Sequence, residues 1–311
     1  MNILLSGSLA YDYVMSIPER LSDHILPDHL DKLNLSLVAN KLRRTRGGTA
    51  GNIAYTMSLL NTPPFVVGAL GSDGTEYLDF LRGRNLETKY IAQDKNILSS
   101  SVYIVTDKDG NQISTFFPGV DPMIAPSIKD VKEKVAIAIA SPSGNTRRHI
   151  KECEESGIKF IFDPGQITTS FTQAEFKDIL SKAYMVIGNA YETSVILERS
   201  GLSMPEIMKD VEIFITTKGA DGSDVWIKGK GMTHVPVCKP NVVQDPTGAG
   251  DAYRGGFLAG LARGFDIVTC AEMGSVAGTY CVENDGGQGQ AYTISEFCDR
   301  YEETYHKSLK I

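Results

Sequence analysis

The chain has 311 residues, which allows one large domain or two smaller ones at roughly 100–200 residues each. Hydrophobic residues make up 42% and charged residues 22%, ordinary globular values that exclude a wholly disordered chain. With 31 Lys and Arg against 38 Asp and Glu the formal charge is −7, which argues against a nucleic-acid or membrane partner; only Arg43, Arg44 and Arg46 form a local basic patch that could take a phosphate.

The opening Met1-Asn2-Ile3-Leu4-Leu5-Ser6-Gly7 lacks a basic stretch and reads as a buried first strand rather than a signal peptide. Strand-like runs follow at 2–6, 65–70, 135–140, 159–163, 185–188, 213–217 and 224–227, and helical patterns lie between them at 50–60, 76–83, 146–156, 175–183 and 192–200. The last third is mostly helical, over 248–263, 267–282 and 294–305. Alternation of this kind predicts an α/β layered domain with parallel strands and crossover helices, here one domain over 1–311. Two regions break it, at about 11–46 and 99–117; the second flanks Asp107-Lys108-Asp109-Gly110-Asn111, a good hairpin turn. Together they predict an antiparallel lid over the carboxyl ends of the strands, where open α/β sheets bind ligands. The longest aliphatic runs are strand-length, far below the ~20 residues of a membrane helix. The five cysteines include no Cys-x-x-Cys pair, so we expect reduced thiols and a cytoplasmic location.

The most informative string is Asp245-Pro246-Thr247-Gly248-Ala249-Gly250-Asp251-Ala252, expected to follow a short strand at Val242 and Val243 and to open a long helix. Small residues leave the amides of Gly248, Ala249 and Gly250 accessible, and with the helix dipole they make an anion hole. A carboxylate beside that site, Asp251, fits phosphoryl transfer, which needs donors for the developing charge and a base for the attacking hydroxyl. No GxxxxGK[ST], GxGxxG, HRD or DFG string is present, so P-loop, Rossmann and protein-kinase readings lose their support.

This string resembles the signature of the PfkB, or ribokinase-like, carbohydrate kinases, with Pro246 in place of the usual Thr. Other segments extend the resemblance over nearly the whole chain. Arg46-Gly47-Gly48-Thr49-Ala50-Gly51-Asn52 resembles the family's Gly-Gly-x-x-x-Asn motif; paired glycines allow close approach of a sugar, and the Asn52 amide can bridge two hydroxyls. Asp12 stands where the family holds sugar hydroxyls, and a carboxylate suits a vicinal diol. Asn189-Ala190-Tyr191-Glu192 resembles the Asn-x-x-Glu motif that holds Mg²⁺ largely through water; the same pair fits a helix capping box. Thr217, Gly219 and Gly222 match a nucleotide loop, which with Asn189 would contact ATP. The segment 283–289, with Asp245 and Thr247, resembles a monovalent-cation site and leaves K⁺ activation open.

The resemblance thus implies a three-layer αβα domain with a mostly parallel sheet and a small β lid, using ATP and Mg²⁺. The run Ser8-Leu9-Ala10-Tyr11-Asp12-Tyr13-Val14-Met15, with His24-Ile25-Leu26-Pro27-Asp28 and Asn34-Leu35-Ser36, is closest in look to bacterial and archaeal nucleoside kinases. That implies transfer to a nucleoside 5′-hydroxyl, with a sugar or sugar-phosphate kinase, or a silent ligand-binding relative, as alternatives. Tyr13, Met15, Tyr103, Phe116 and Phe117 suit a flat base, although at least half of them are expected to form the lid's own small core instead; Asp163-Pro164-Gly165-Gln166 ends a central strand and could reach the cleft, with Gln166 the candidate. Family lids occur paired or single, so both a monomer and a homodimer stay open.

Overall fold

A computed structural model describes residues 1–25 and 34–311. The chain forms strands β1 (Ile3–Ser6), β2 (Ala10–Ser16), β3 (Lys41–Gly47), β4 (Phe65–Leu70), β5 (Ile91–Gln93), β6 (Ser100–Thr106), β7 (Gln112–Phe117), β8 (Ile137–Ala140), β9 (Lys159–Phe162), β10 (Met185–Asn189), β11 (Ile213–Thr217), β12 (Ser223–Ile227) and β13 (Gly231–Val235). The helices are α1 (Thr49–Leu59), α2 (Thr75–Gly83), α3 (Asp121–Ile124), α4 (Thr146–Ser156), α5 (Gln173–Leu180), α6 (Ala190–Ser200), α7 (Met204–Ile207), α8 (Ala249–Arg263), α9 (Ile267–Val282) and α10 (Ile294–Tyr305).

The larger sheet has the order β13-β12-β11-β10-β9-β8-β1-β4-β5, parallel except for the antiparallel edge hairpin β12–β13. Its strands alternate between two cores. Ile3, Leu5, Ile139, Ile161, Ile187 and Ile215 face α1, α2, α8 and α9; Leu4, Ala138, Phe160, Phe162, Val186 and Phe214 face α4, α5 and α6. Both faces are apolar because helices cover both, as parallel sheets require. Every central strand ends its register at the same edge, so Ser6, Ala140, Phe162, Asn189 and Thr217 lead into loops that share one rim.

The second sheet, β3-β2-β6-β7, is built from the two segments that break the alternation. It is mixed rather than antiparallel throughout: β2 pairs parallel with β6 and antiparallel with β3. Asp107 closes the β6–β7 turn by accepting from the Asp109 and Asn111 amides, both at 2.9 Å, and from Leu21 at 3.1 Å. Those bonds, led by the Asn111 side chain, hold its carboxyl down at about 2.

One expected strand is absent. Val242 and Val243 are exposed loop, not strand, since Pro240 and solvent leave them nothing to pair with. The short β5 and the exposed β13 carry too little apolar pattern to be read from sequence. The Leu26-Pro27-Asp28 part of the nucleoside-kinase resemblance lies outside the described residues. Each of the five cysteines is a free thiol, and among the described residues no helix is long and apolar enough to cross a membrane.

Candidate active site

Helix α8 starts at the shared rim, and Asp251 stands in its first turn. Burial dominates its environment and pushes the carboxyl up to about 6, against the opposing pull of Arg254 and the Asn52 hydrogen bond. Asn52 Nδ2 donates to Asp251 Oδ2 at 2.8 Å, and Oδ1 accepts no hydrogen bond among the described residues. The base position is therefore oriented on one side and open on the other.

Two of the three expected anion-hole amides remain unpaired among the described residues, those of Gly248 and Gly250. The Ala249 amide closes a turn onto the Pro246 carbonyl at 3.2 Å and does not line the cleft. Gly248 has φ +79, and a Cβ there would stand 2.4 Å from the Gly287 Cα. Gly248→Ala therefore combines a left-handed alanine, about 1–3 kcal/mol of strain, with a backbone clash. We expect it to lower both the melting temperature and kcat, the latter about tenfold or more, as the loop moves. Wild-type kcat and Tm in this variant would overturn that geometry.

The cleft around Asp251 has a volume of about 170 Å³ and is also bordered by Gln166, Asn189, Glu192, Asp163 and Arg254. Asn189 and Glu192 form the capping box: Glu192 N donates to Asn189 Oδ1 and Asn189 N to Glu192 Oε2, both at 2.8 Å. Asn189 sits beside Thr217 in the β10–β11 register, so the loop of Thr217, Gly219 and Gly222, expected to contact ATP, opens from the same rim. In that loop Gly222 has φ +80 and packs against the β13 carbonyl of Val235, whereas Gly219 faces open space.

Asp12 lies on β2 across from Asp251. Burial raises its carboxyl to about 6, with Arg43 pulling down and Asp245 pushing up. No donor among the described residues hydrogen-bonds it, so its oxygens are available to hydroxyls. A Cβ on Gly47 would come 2.4 Å from Asp12 Oδ2, and Gly48 takes φ +86 against the Ser8 carbonyl. The glycines thus make room for the carboxylate as well as for a ligand. Asn52, by contrast, has both amide ends engaged: Gln288 Nε2 donates to its Oδ1 at 3.0 Å, and Tyr77, which bonds the Gly47 carbonyl at 2.7 Å, closes the network. Asn52 orients Asp251, and it keeps a second Nδ2 hydrogen and a second Oδ1 lone pair for a sugar hydroxyl.

Strand alternation sorts the lid residues. Asp12 shares its face with Val14, Val102, Ile104 and Phe116; Tyr13, Met15, Tyr103 and Phe117 lie on the other, where Tyr13 and Tyr103 stack at 4.9 Å. Only Phe116 of the five expected base-facing residues is on the cleft side. A second cavity of about 280 Å³ lies between this face and Asp245-Pro246-Thr247, walled by Val14 and Ile104 with Lys41 and Gln112. The arginines do not converge either. Arg43 bonds Asp245 at 3.0 Å and Asp285 at 2.9 Å, while Arg44 and Arg46 turn outward to Glu76.

Sequence reasoning missed Arg254 altogether, and it placed Asp163 at the cleft and Gln288 in the 283–289 segment without their partners. Arg254 was legible, because i+3 from Asp251 shares its helix face. The contacts of Asp163 and Gln288 span 91 and 236 residues, and no local pattern encodes them.

An open carboxylate oxygen on Asp251 and unpaired Gly248 and Gly250 amides in one cleft are the parts a phosphotransferase with an alcohol acceptor needs. The chain belongs to the pfkB family of carbohydrate kinases, which it matches over residues 11–293. It is 28% identical to the nucleoside kinase of Methanothermobacter thermautotrophicus, over 96% of this chain and 95% of that one. The structure of Burkholderia thailandensis nucleoside kinase in complex with inosine is 33% identical, with a TM-score of 0.88 over 99% of this chain and 100% of that one. The same enzyme in complex with ADP-inosine gives 34% identity and a TM-score of 0.86, over 99% and 97%.

Proposed function

We propose that the chain is an ATP-dependent nucleoside kinase that transfers the γ-phosphate to the ribose 5′-hydroxyl. The observation that carries the reaction is the open Oδ1 of Asp251 beside the unpaired amides of Gly248 and Gly250. Asp12, with Gly47 and Gly48, would bind the ribose hydroxyls. Asp251 accepts the 5′-hydroxyl proton as its oxygen attacks the γ-phosphorus, and the amides stabilise the charge on the transferring group. Thr217, Gly219 and Gly222 would contact ATP, and Gln166 the acceptor. The small sheet then acts as a lid that keeps water from the phosphate.

The nucleoside acceptor is favoured over a sugar phosphate by the same face of the small sheet. Val14, Ile104 and Phe116 offer an apolar wall for a base. Arg43 is already paired, and Arg44 and Arg46 face away, so among the described residues Lys41 is the one unpaired cation on that wall, short of a phosphate-binding cluster. The relatives named nucleoside kinases support the same choice.

The residues fit Mg²⁺ only through water. Asn189 Oδ1 and Glu192 Oε2 are committed to each other's amides, leaving Glu192 Oε1 to accept from the water shell of an ion that would be carried on the ATP phosphates. Bound there, the ion would neutralise triphosphate charge. The Asp245 carboxylate already accepts from Arg43, Gly286 and Thr247, so a monovalent cation would be held by the backbone around Asp245 and Thr247 rather than by that side chain. The free thiols accord with a reducing, cytoplasmic setting.

The test is Mg²⁺- and ATP-dependent ADP release with adenosine, inosine, guanosine, cytidine, ribose, fructose and fructose 6-phosphate, with Asp251→Asn as the blank. Turnover on nucleosides alone is expected. Turnover on a sugar alone would overturn the acceptor and keep the chemistry.

A further inference from the structure

Arg254 is 7% exposed, yet it borders the cleft that contains Gly248, Gly250 and Asp251. One edge of its guanidinium is anchored: Nη2 donates to Asp163 Oδ1 at 2.6 Å and lies 3.7 Å from Glu192 Oε2. Asp163 is in turn held by Ser141 Oγ at 2.8 Å, so two neighbouring strand ends, β8 and β9, fix the anchor. The remaining donors of Arg254 are uncommitted. Among the described residues Nη1 has no hydrogen-bond partner, and Nε is buried without one. Nη1 stands 3.0 Å from where a Cβ on Gly250 would be, so it flanks the anion-hole amide itself.

A buried arginine that uses one edge for structure and leaves the other in an anion cleft is placed for an anion. An ion pair serving the fold alone would turn both edges to its carboxylates, because unpaired buried donors are costly. Asp163, Glu192 and Asp251 keep the guanidinium charged despite its burial. The anion that passes this point is the phosphoryl group.

We propose that Arg254 is a further catalytic residue: its Nη1 edge contacts the transferring phosphoryl group and completes the anion hole that the Gly248 and Gly250 amides begin. This rests on reading the start of α8 as the phosphoryl-transfer site. The acceptor oxygen forms its bond to the γ-phosphorus and gives its proton to Asp251; the bond to the β,γ-bridging oxygen breaks and its electron pair leaves with ADP. Arg254 stays protonated throughout and stabilises charge on the equatorial oxygens.

The experiment compares wild type with Arg254→Gln and Arg254→Lys by two readouts. One is steady-state turnover with separate calorimetric nucleoside affinity; the other is affinity for ADP with aluminium fluoride and Mg²⁺, which mimics the transferring group. For Arg254→Gln we expect kcat to fall about 10²-fold with nucleoside affinity within about threefold, and the aluminium-fluoride gain in ADP affinity to vanish. Arg254→Lys, which keeps a charge but not the two-edged fork, should recover part of both. The proposal is overturned if a folded variant keeps kcat within about threefold of wild type, or keeps the full aluminium-fluoride gain. If Arg254→Gln does not fold, Arg254→Lys is judged by the same two criteria. Should the wild type turn over no nucleoside, the acceptor reading fails, while the aluminium-fluoride comparison still decides Arg254.

Discussion

Replacing Asp251 by Asn is expected to lower kcat about 10³-fold or more while nucleoside affinity changes little, since a positioned general base contributes up to about 10⁴. Asn keeps the volume and can still accept from Asn52, so only the proton acceptor is lost. Burial lifts the wild-type carboxyl to about 6, so the base form is present above that pH and disappears as pH falls through it. Wild-type kcat should therefore decline below pH about 6 with an acid limb that Asp251→Asn lacks. The same sign applies to stability. An Asp whose folded pKa is raised costs the fold stability while ionised, and that cost is relieved as pH drops through the folded pKa. Asp251→Asn should thus melt at the same temperature as wild type or higher at neutral pH, the trade expected of a functional group held at the expense of stability. A variant with wild-type kcat, or an acid limb that survives the substitution, would remove Asp251 from the role of base.

The layered fold was readable because burial on both faces leaves a long trace. Each central strand is a continuous apolar run, and each crossover helix shows its own period. Residues 65–70, 146–156, 213–217, 267–282 and 294–305 match the observed elements at both ends. The edge was harder to read. Strand β13, Gly231 to Val235, is exposed along four of its five residues, and nothing apolar marks it. In the lid the composition was right but its direction was not. Tyr13, Met15, Tyr103 and Phe117 look like a base platform until the period of two is applied from Asp12, which puts them on the opposite face. Motif residues Asp12, Gly48, Asn52, Gly248 and Asp251 do converge, yet their partners were hidden. Arg43 reaches Asp245 across 202 residues, and only the folded chain brings that pair together.

The second large effect belongs to Asp12. Its carboxyl is raised to about 6 by burial and has no protein donor among the described residues, so the fold leaves a partly desolvated acceptor beside Gly47. A ribose diol would supply two charge-assisted hydrogen bonds, each worth about 1.5–3 kcal/mol. Asp12→Ala is thus expected to reduce kcat/KM for nucleosides about 10³-fold, mostly through KM, because these bonds are made in ground and transition states alike. Asp251→Asn should do the reverse and act on kcat. Deoxynucleosides separate the diol reading from a general electrostatic one. In wild type, removing the 2′- or 3′-hydroxyl should cost about tenfold or more in kcat/KM; in Asp12→Ala the same removal should cost little, because the partner is already gone. Equal losses in both proteins would mean that Asp12 does not hold the diol. Protonation of Asp12 adds a second signature: wild-type KM should rise as pH falls through about 6, and the Asp12→Ala KM should stay flat over that range. Since kcat should titrate with Asp251 and KM with Asp12, the two carboxylates are distinguishable even though both titrate at about 6.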